Sequence, residues 1–153
     1  MRRSAVIGKD FINLNSDPPN PMTSRILIVE DEIFVAMELE AILDELGYHA
    51  IGIAPDLTTA AEYFDQDIDL ALVDLNLRDG LTGPQIGARL GANGVTVLFI
   101  TANPRLLGDG VAGAVGVLTK PTDSNTVKAA VAYALGVRAG KSLRAPPSLR
   151  LFA

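Results

Sequence analysis

The chain has 153 residues, 48% of them hydrophobic and 20% charged, with a formal net charge of −5. That is the size and mix of one globular domain with a proper core. There is no cysteine and only one histidine, His49, which excludes a disulfide scaffold, a thiol nucleophile, cysteine- or histidine-rich metal sites, and a Ser-His triad using any other histidine.

Residues 1 to 23 show no periodicity, and "NSDPPNPMTS" holds three prolines, so this stretch reads as a disordered tail. Met22 stands just before the first patterned residues and is a candidate natural start. "MRRSAVIGKDF" has an apolar stretch only from Ala5 to Gly8, too short for a signal sequence, so Arg2 and Arg3 read as tail charges. "RILIVE" is a continuous apolar run, a strand buried on both faces. "IFVAMELEAILDELGY" then places Val35, Leu39, Ile42, Leu43 and Leu46 on one helical face, and Gly47 is a stop signal. "HAIGIA" is the second strand. Asp56 caps a helix over "LTTAAEYFDQ", where Thr59 and Glu62 have capping-box spacing. "DLALVD" is the third strand and "GPQIGARLG" a short, weak helix. "VTVLFI" is the fourth strand. "PRLLGDGVAGA" has three glycines and a proline, so any helix there is short or frayed. "VGVLT" is the fifth strand, and "TDSNTVKAAVAYALGVRA" a last helix with Val127, Ala130, Val131, Ala134 and Leu135 on its apolar face.

Residues 139–153 are unpatterned and read as a flexible basic tail after a domain spanning 24–138. Arg138, Lys141, Arg144 and Arg150 give the last sixteen residues a charge of +4, whereas residues 25–137 carry −10. An acidic body argues against nucleic acid as a partner. No apolar run approaches the ~20 residues a membrane span needs, and a cysteine-free chain fits the cytoplasm.

Five apolar strands alternating with helices define an α/β fold, a doubly wound parallel sheet covered on both faces. In such sheets chemistry sits at the carboxyl ends of the strands. The first strand ends in Glu30, Asp31 and Glu32, the third in Asp74, Leu75 and Asn76, the fourth in Thr101 and Ala102, and the fifth in Thr119, Lys120 and Pro121. Each alone has a bland explanation: a turn aspartate, an acidic helix start, a surface lysine. Together they place acids, a hydroxyl and a lysine at four of five strand ends. Carboxylates this close repel one another unless Lys120 or a hard divalent cation compensates, and Mg2+ suits a site with few protein ligands.

"ILIVEDE", "LVDLNL", "FITA" and "LTKP" resemble, in order and spacing, the four signature segments of the response-regulator receiver domain of two-component signalling, over about residues 24 to 138. The resemblance implies a flavodoxin-like sheet with strand order 2-1-3-4-5. It makes Asp74 the acceptor of a phosphoryl group from a histidine kinase or histidine phosphotransfer protein. It gives Glu30, Asp31, Asp74 and the Asn76 backbone carbonyl to Mg2+ (or Mn2+). Thr101 becomes the hydroxyl that moves onto the phosphoryl group, with Ala102 leaving room, and Lys120 its cationic partner. The bond to Pro121 is a cis-peptide candidate. The implied protein is a single-domain regulator and a monomer or weak dimer, which signals to a downstream protein target. It is not an enzyme beyond its own phosphorylation and slow autodephosphorylation. Phosphorylation would shift a pre-existing equilibrium of the surface around the fourth helical segment and fifth strand.

The chain also departs from the family. Val117 stands where receivers commonly carry Tyr or Phe, and Glu30 where Asp is commoner. "FITANP", with the weak helix after it, is similar to receivers of general-stress-response regulators. Gly108 to Gly113 spells G-x-G-x-x-G, but late in the fold rather than after the first strand. "GVRAGKS" lacks P-loop spacing and follows a helix, and His49 reads as structural. Two rival functions share parts of the receiver pattern. An aspartyl-nucleophile phosphatase wants a general acid where Asn76 stands. A pseudo-receiver, an interaction module without phosphorylation, has no need of the full set of acids, Thr101 and Lys120.

Overall fold

The computed structural model describes residues 24–152; the expected tail over 1–23 and a start at Met22 lie outside them. The elements run β1 (Arg25–Val29), α1 (Ile33–Glu45), β2 (His49–Ala54), α2 (Leu57–Ala61), β3 (Leu70–Val73), α3 (Gly83–Ala92), β4 (Thr96–Thr101), a 3-10 turn (Pro104–Leu107), β5 (Ala114–Thr119), α4 (Ser124–Arg138) and β6 (Arg150–Leu151). The sheet order is β2-β1-β3-β4-β5-β6. The first five strands pair in parallel, in the expected order 2-1-3-4-5, and only β6 is antiparallel.

Alternation along the buried strands divides the core into two layers. Leu27, Val29, Val73 and Phe99 face α2 and α3, where Ala60, Ile86 and Leu90 meet them. Ile28, Leu72, Ile100 and Leu118 face α1 and α4, against Leu39, Leu43, Val127 and Val131. No helix among the described residues is long and apolar enough to cross a membrane.

Local chemistry explains most element ends. Asp56 caps α2, accepting the Thr59 N–H at 2.9 Å, and Asp123 caps α4 through the Thr126 N–H at 2.7 Å. Gly47, with φ 87°, ends α1 in the left-handed region. The expected second helix over 57–66 is shorter, because after Ala61 the chain turns and buries Phe64 in the core. The Asn93 amide then takes the Phe64 carbonyl at 3.2 Å. Between β4 and β5 only one 3-10 turn survives, since Gly108, Gly110 and Gly113 all have positive φ.

The expected flexible tail over 139–153 is corrected for residues 149–152. Residues 150–151 form β6 on the outer edge of β5, and Leu149 is buried. Non-local pairing with β5 stabilises this stretch, a contact that leaves no periodicity in the sequence.

Gly83 opens α3 directly beneath the end of β3. Its N–H donates to the Leu75 carbonyl at 3.0 Å, and a Cβ placed there would lie 2.0 Å from the Asp74 carbonyl oxygen. Gly83→Ala therefore forces backbone apart. The expected loss is about 1–3 kcal/mol, read from urea unfolding; an unchanged midpoint refutes the close approach. Asp56 supplies a second test. The Thr59 N–H, then the Arg78 guanidinium, hold its carboxyl at about 2 against an ordinary 3.8. A depressed folded-state value means that the stabilisation is complete above 3.8 and disappears as pH falls through about 2. Asp56→Asn should lose less stability than wild type across that window, in urea midpoints measured against pH.

Candidate functional site

Parallel register brings the predicted residues together. Val29 pairs with Val73 across β1 and β3, so Glu30 and Asp74, one residue further on, emerge side by side. The Asp74 N–H donates to the Val29 carbonyl at 2.9 Å and locks that placement. Thr101 pairs with Thr119 across β4 and β5, and the Lys120 N–H donates to the Thr101 carbonyl at 2.8 Å. Period-2 alternation sends Glu30, Asp74 and Lys120 to the face that Ile28, Leu72 and Leu118 occupy.

At the centre is one ammonium between two carboxylates. Lys120 Nζ donates to Glu30 Oε1 and to Asp74 Oδ2, both at 2.7 Å, and Glu32 lies 3.7 Å away. Glu30 and Asp74 are buried, 2% and 7% exposed, so the charges meet largely out of water. Asp74 Oδ1 accepts the Leu75 N–H at 2.6 Å. Glu30 Oε2 accepts the Glu32 N–H at 3.2 Å. Burial pushes the Glu30 carboxyl up, and the Asp74 charge adds to the rise; the Lys120 and Glu32 hydrogen bonds oppose it without cancelling it. Burial works against the Lys120 ammonium, yet hydrogen bonds and charge from Asp74 and Glu30 outweigh it, and its pKa is raised.

Asp31 completes an acidic cluster. Oxygens of Glu30, Asp31 and Asp74 lie within 4.8 Å of one another, and Asp31 is exposed at the mouth. Three carboxylates on a partly open site are the donors a hard divalent cation takes, so the residues fit Mg2+. Asn76 is exposed two residues past Asp74. Ala102 is also exposed and lines, with Glu32, Leu39, Ile100 and Lys120, a groove between α1 and the start of α4. Thr101 is fully buried, its Oγ1 accepting the Asn103 N–H at 3.1 Å. The Lys120–Pro121 bond is cis.

Val117 is 1% exposed and packs in the core layer that holds Phe99, with Phe99 its partner on β4 and Arg150 its partner on β6. An aromatic ring is nevertheless present nearby: Phe99 lies 6.4 Å from Phe152. Sequence reasoning missed three contributors here, Gly83, Gly116 and Phe152. The glycines carry no pattern because what they accommodate is backbone brought from elsewhere in the chain. His49 opens β2, and its exposed ring lies 3.7 Å from Asp44, away from the cluster.

Comparison with known proteins identifies the family. The family model of the response regulator receiver domain matches residues 26–132. The phyllosphere-induced regulator PhyR of Methylorubrum extorquens is 36% identical over 119 residues, which are 74% of this chain and 44% of that protein. The chain thus spans less than half the length of this curated relative. The solution structure of the PhyR receiver domain from Erythrobacter litoralis superposes with a TM-score of 0.69 at 32% identity, covering 80% of this chain and 98% of the other. The anti-anti-sigma factor PhyR from Bartonella quintana gives 0.66 at 28% identity, covering 78% and 50%. With the acids, hydroxyl and lysine gathered at the carboxyl edge of a 2-1-3-4-5 sheet, the chain belongs to the response-regulator receiver domain family.

Proposed function

We propose that the chain is a response regulator that accepts a phosphoryl group on Asp74 from a histidine kinase or histidine phosphotransfer protein, with Mg2+ as cofactor, and signals by protein–protein contact. The observation that carries this is the Lys120 ammonium 2.7 Å from both Glu30 and Asp74, with a third carboxylate alongside. A salt bridge made only for stability needs no second and third acid at the same point.

The transfer is a displacement at phosphorus. An Asp74 carboxylate oxygen bonds to phosphorus as the bond from phosphorus to the donor imidazole nitrogen breaks, and the electron pair leaves with the imidazole. Little covalent help is required, so positioning and charge dominate. The Leu75 N–H holds one Asp74 oxygen at 2.6 Å and fixes the carboxylate plane. Lys120, anchored by Glu30, neutralises charge that develops on the phosphoryl oxygens. Glu30, Asp31, Asp74 and the Asn76 carbonyl are the residues to hold Mg2+, which supplies the remaining positive charge. Thr101 swings its hydroxyl to the phosphoryl group, releasing Asn103. Asn76 cannot act as a general acid, so no rapid hydrolysis follows; the chain catalyses only its own phosphorylation and a slow autodephosphorylation. A solved relative described as the PhyR stress response regulator, 34% identical to this chain, favours a place in stress-response signalling.

Incubation with acetyl phosphate and Mg2+, followed by intact mass, should add one phosphoryl group to wild type and none to Asp74→Asn. Addition to both, or to neither, refutes the proposal. Chelation by EDTA should abolish the addition. Lys120→Met should slow it about 100-fold, followed by mass against time.

A further inference from the structure

Segment 149–152 lies along the outer edge of β5. Gly116 stands opposite Leu151 and Val117 opposite Arg150, and the Phe152 N–H donates to the Val115 carbonyl at 3.0 Å. Its side chains straddle the sheet edge. Leu149 joins the layer under α1 and α4, while Phe152 joins the layer under α2 and α3. The receiving surface leaves room for this strand. A Cβ on Gly116 would lie 2.3 Å from the Arg150 carbonyl oxygen, and one on Gly110 2.6 Å from the Phe152 ring.

The grip is nonetheless slight. Only two residues are strand-paired, Leu151 is 45% exposed, and residues 141–146 before them have no regular structure. A short edge strand of this kind opens locally at low free energy. Opening it uncovers the free backbone donors and acceptors of β5, a ready template for another strand.

The strand is also tied to the acidic site. The Arg150 guanidinium donates to the Pro104 and Gly108 carbonyls, each at 3.3 Å. That segment begins at Asn103, whose N–H is held by Thr101 Oγ1 and whose carbonyl accepts the Leu106 N–H. A continuous set of contacts therefore runs from Thr101 to Arg150.

We propose that residues 149–152 are a displaceable strap over a strand-accepting edge of β5, and that the uncovered edge binds a partner protein through an extended segment of the same pattern. The strap itself displays the chemistry required: apolar, basic, apolar, aromatic, added antiparallel so that backbone hydrogen bonds supply affinity and alternate side chains supply specificity. A further clause rests on the function proposed above. When Thr101 turns to a phosphoryl group on Asp74 it releases Asn103, the 103–108 segment shifts, and Arg150 loses its two carbonyls.

The test uses the full chain and a peptide of residues 146–152 at about millimolar concentration, comparable to the effective concentration of the tethered strap. Phe152→Ala should speed amide exchange along β5 and bind the peptide about tenfold more tightly than wild type. Gly116→Ala should release the strap equally but refuse the peptide, because its Cβ blocks any backbone seated there. Urea midpoints confirm that both variants are folded. Equal peptide binding by all three proteins, or unchanged β5 exchange in Phe152→Ala, overturns the strap. Acetyl phosphate with Mg2+ should raise peptide affinity of wild type, with uptake confirmed by mass. Uptake without a gain in affinity overturns the coupling to Asp74. Absence of uptake overturns the phosphorylation function instead, and the strap stands or falls on the two variants.

Discussion

The molecule is organised around one lysine held between two buried carboxylates. Unit charges about 4 Å apart interact by about 4 kcal/mol at an effective dielectric near 20, so Glu30 and Asp74 on neighbouring strands repel unless a cation stands between them. Lys120 is that cation, at 2.7 Å from each. Its position demands that β5 lie in register with β4, that β4 pair with β3, and that β3 pair with β1. An error of one residue in any of these ladders turns a site residue to the opposite face. The register of the sheet and the charge balance of the site are therefore one constraint.

The same constraint separates what is held firmly from what is free to move. β1, β3 and β4 are covered on both faces and paired on both edges. β5 has β4 on one side and only the two-residue β6 on the other. The helical segment expected beside it is reduced to a 3-10 turn by three glycines of positive φ. Regular structure is thus sparse in the segment between Thr101 and β5. Val117 lies on β5 itself: a small β-branched side chain replaces the ring that relatives commonly carry, and Phe99 and Phe152 fill the adjacent space instead.

Membership of the receiver family settles the fold but not the partner, since receivers share a scaffold and differ in the surfaces they present. The match to PhyR-type proteins covers less than half of the Methylorubrum relative. Among the described residues, the β5 edge with an antiparallel strand of the chain's own seated on it adds to the five-stranded parallel plan.

The sequence alone determined the class of fold and the chemistry at the strand ends. Strands buried on both faces must be continuous apolar runs, and a polar residue closing such a run stands out, so Glu30, Asp74, Thr101 and Lys120 were all legible. Helix stops and caps were legible where one residue acts on its neighbours, as at Gly47 and Asp56. Tertiary structure alone decided the rest. The shortening of α2 follows from burying Phe64. The need for glycine at 83 and 116 follows from backbone that arrives from Asp74 and Arg150. Residues 150–151 become a strand only because the β5 edge offers hydrogen bonds and Phe99 offers a surface for the neighbouring Phe152. Each of these depends on a contact between segments distant in the chain, and such a contact has no period, cap or turn signature through which a linear sequence can announce it.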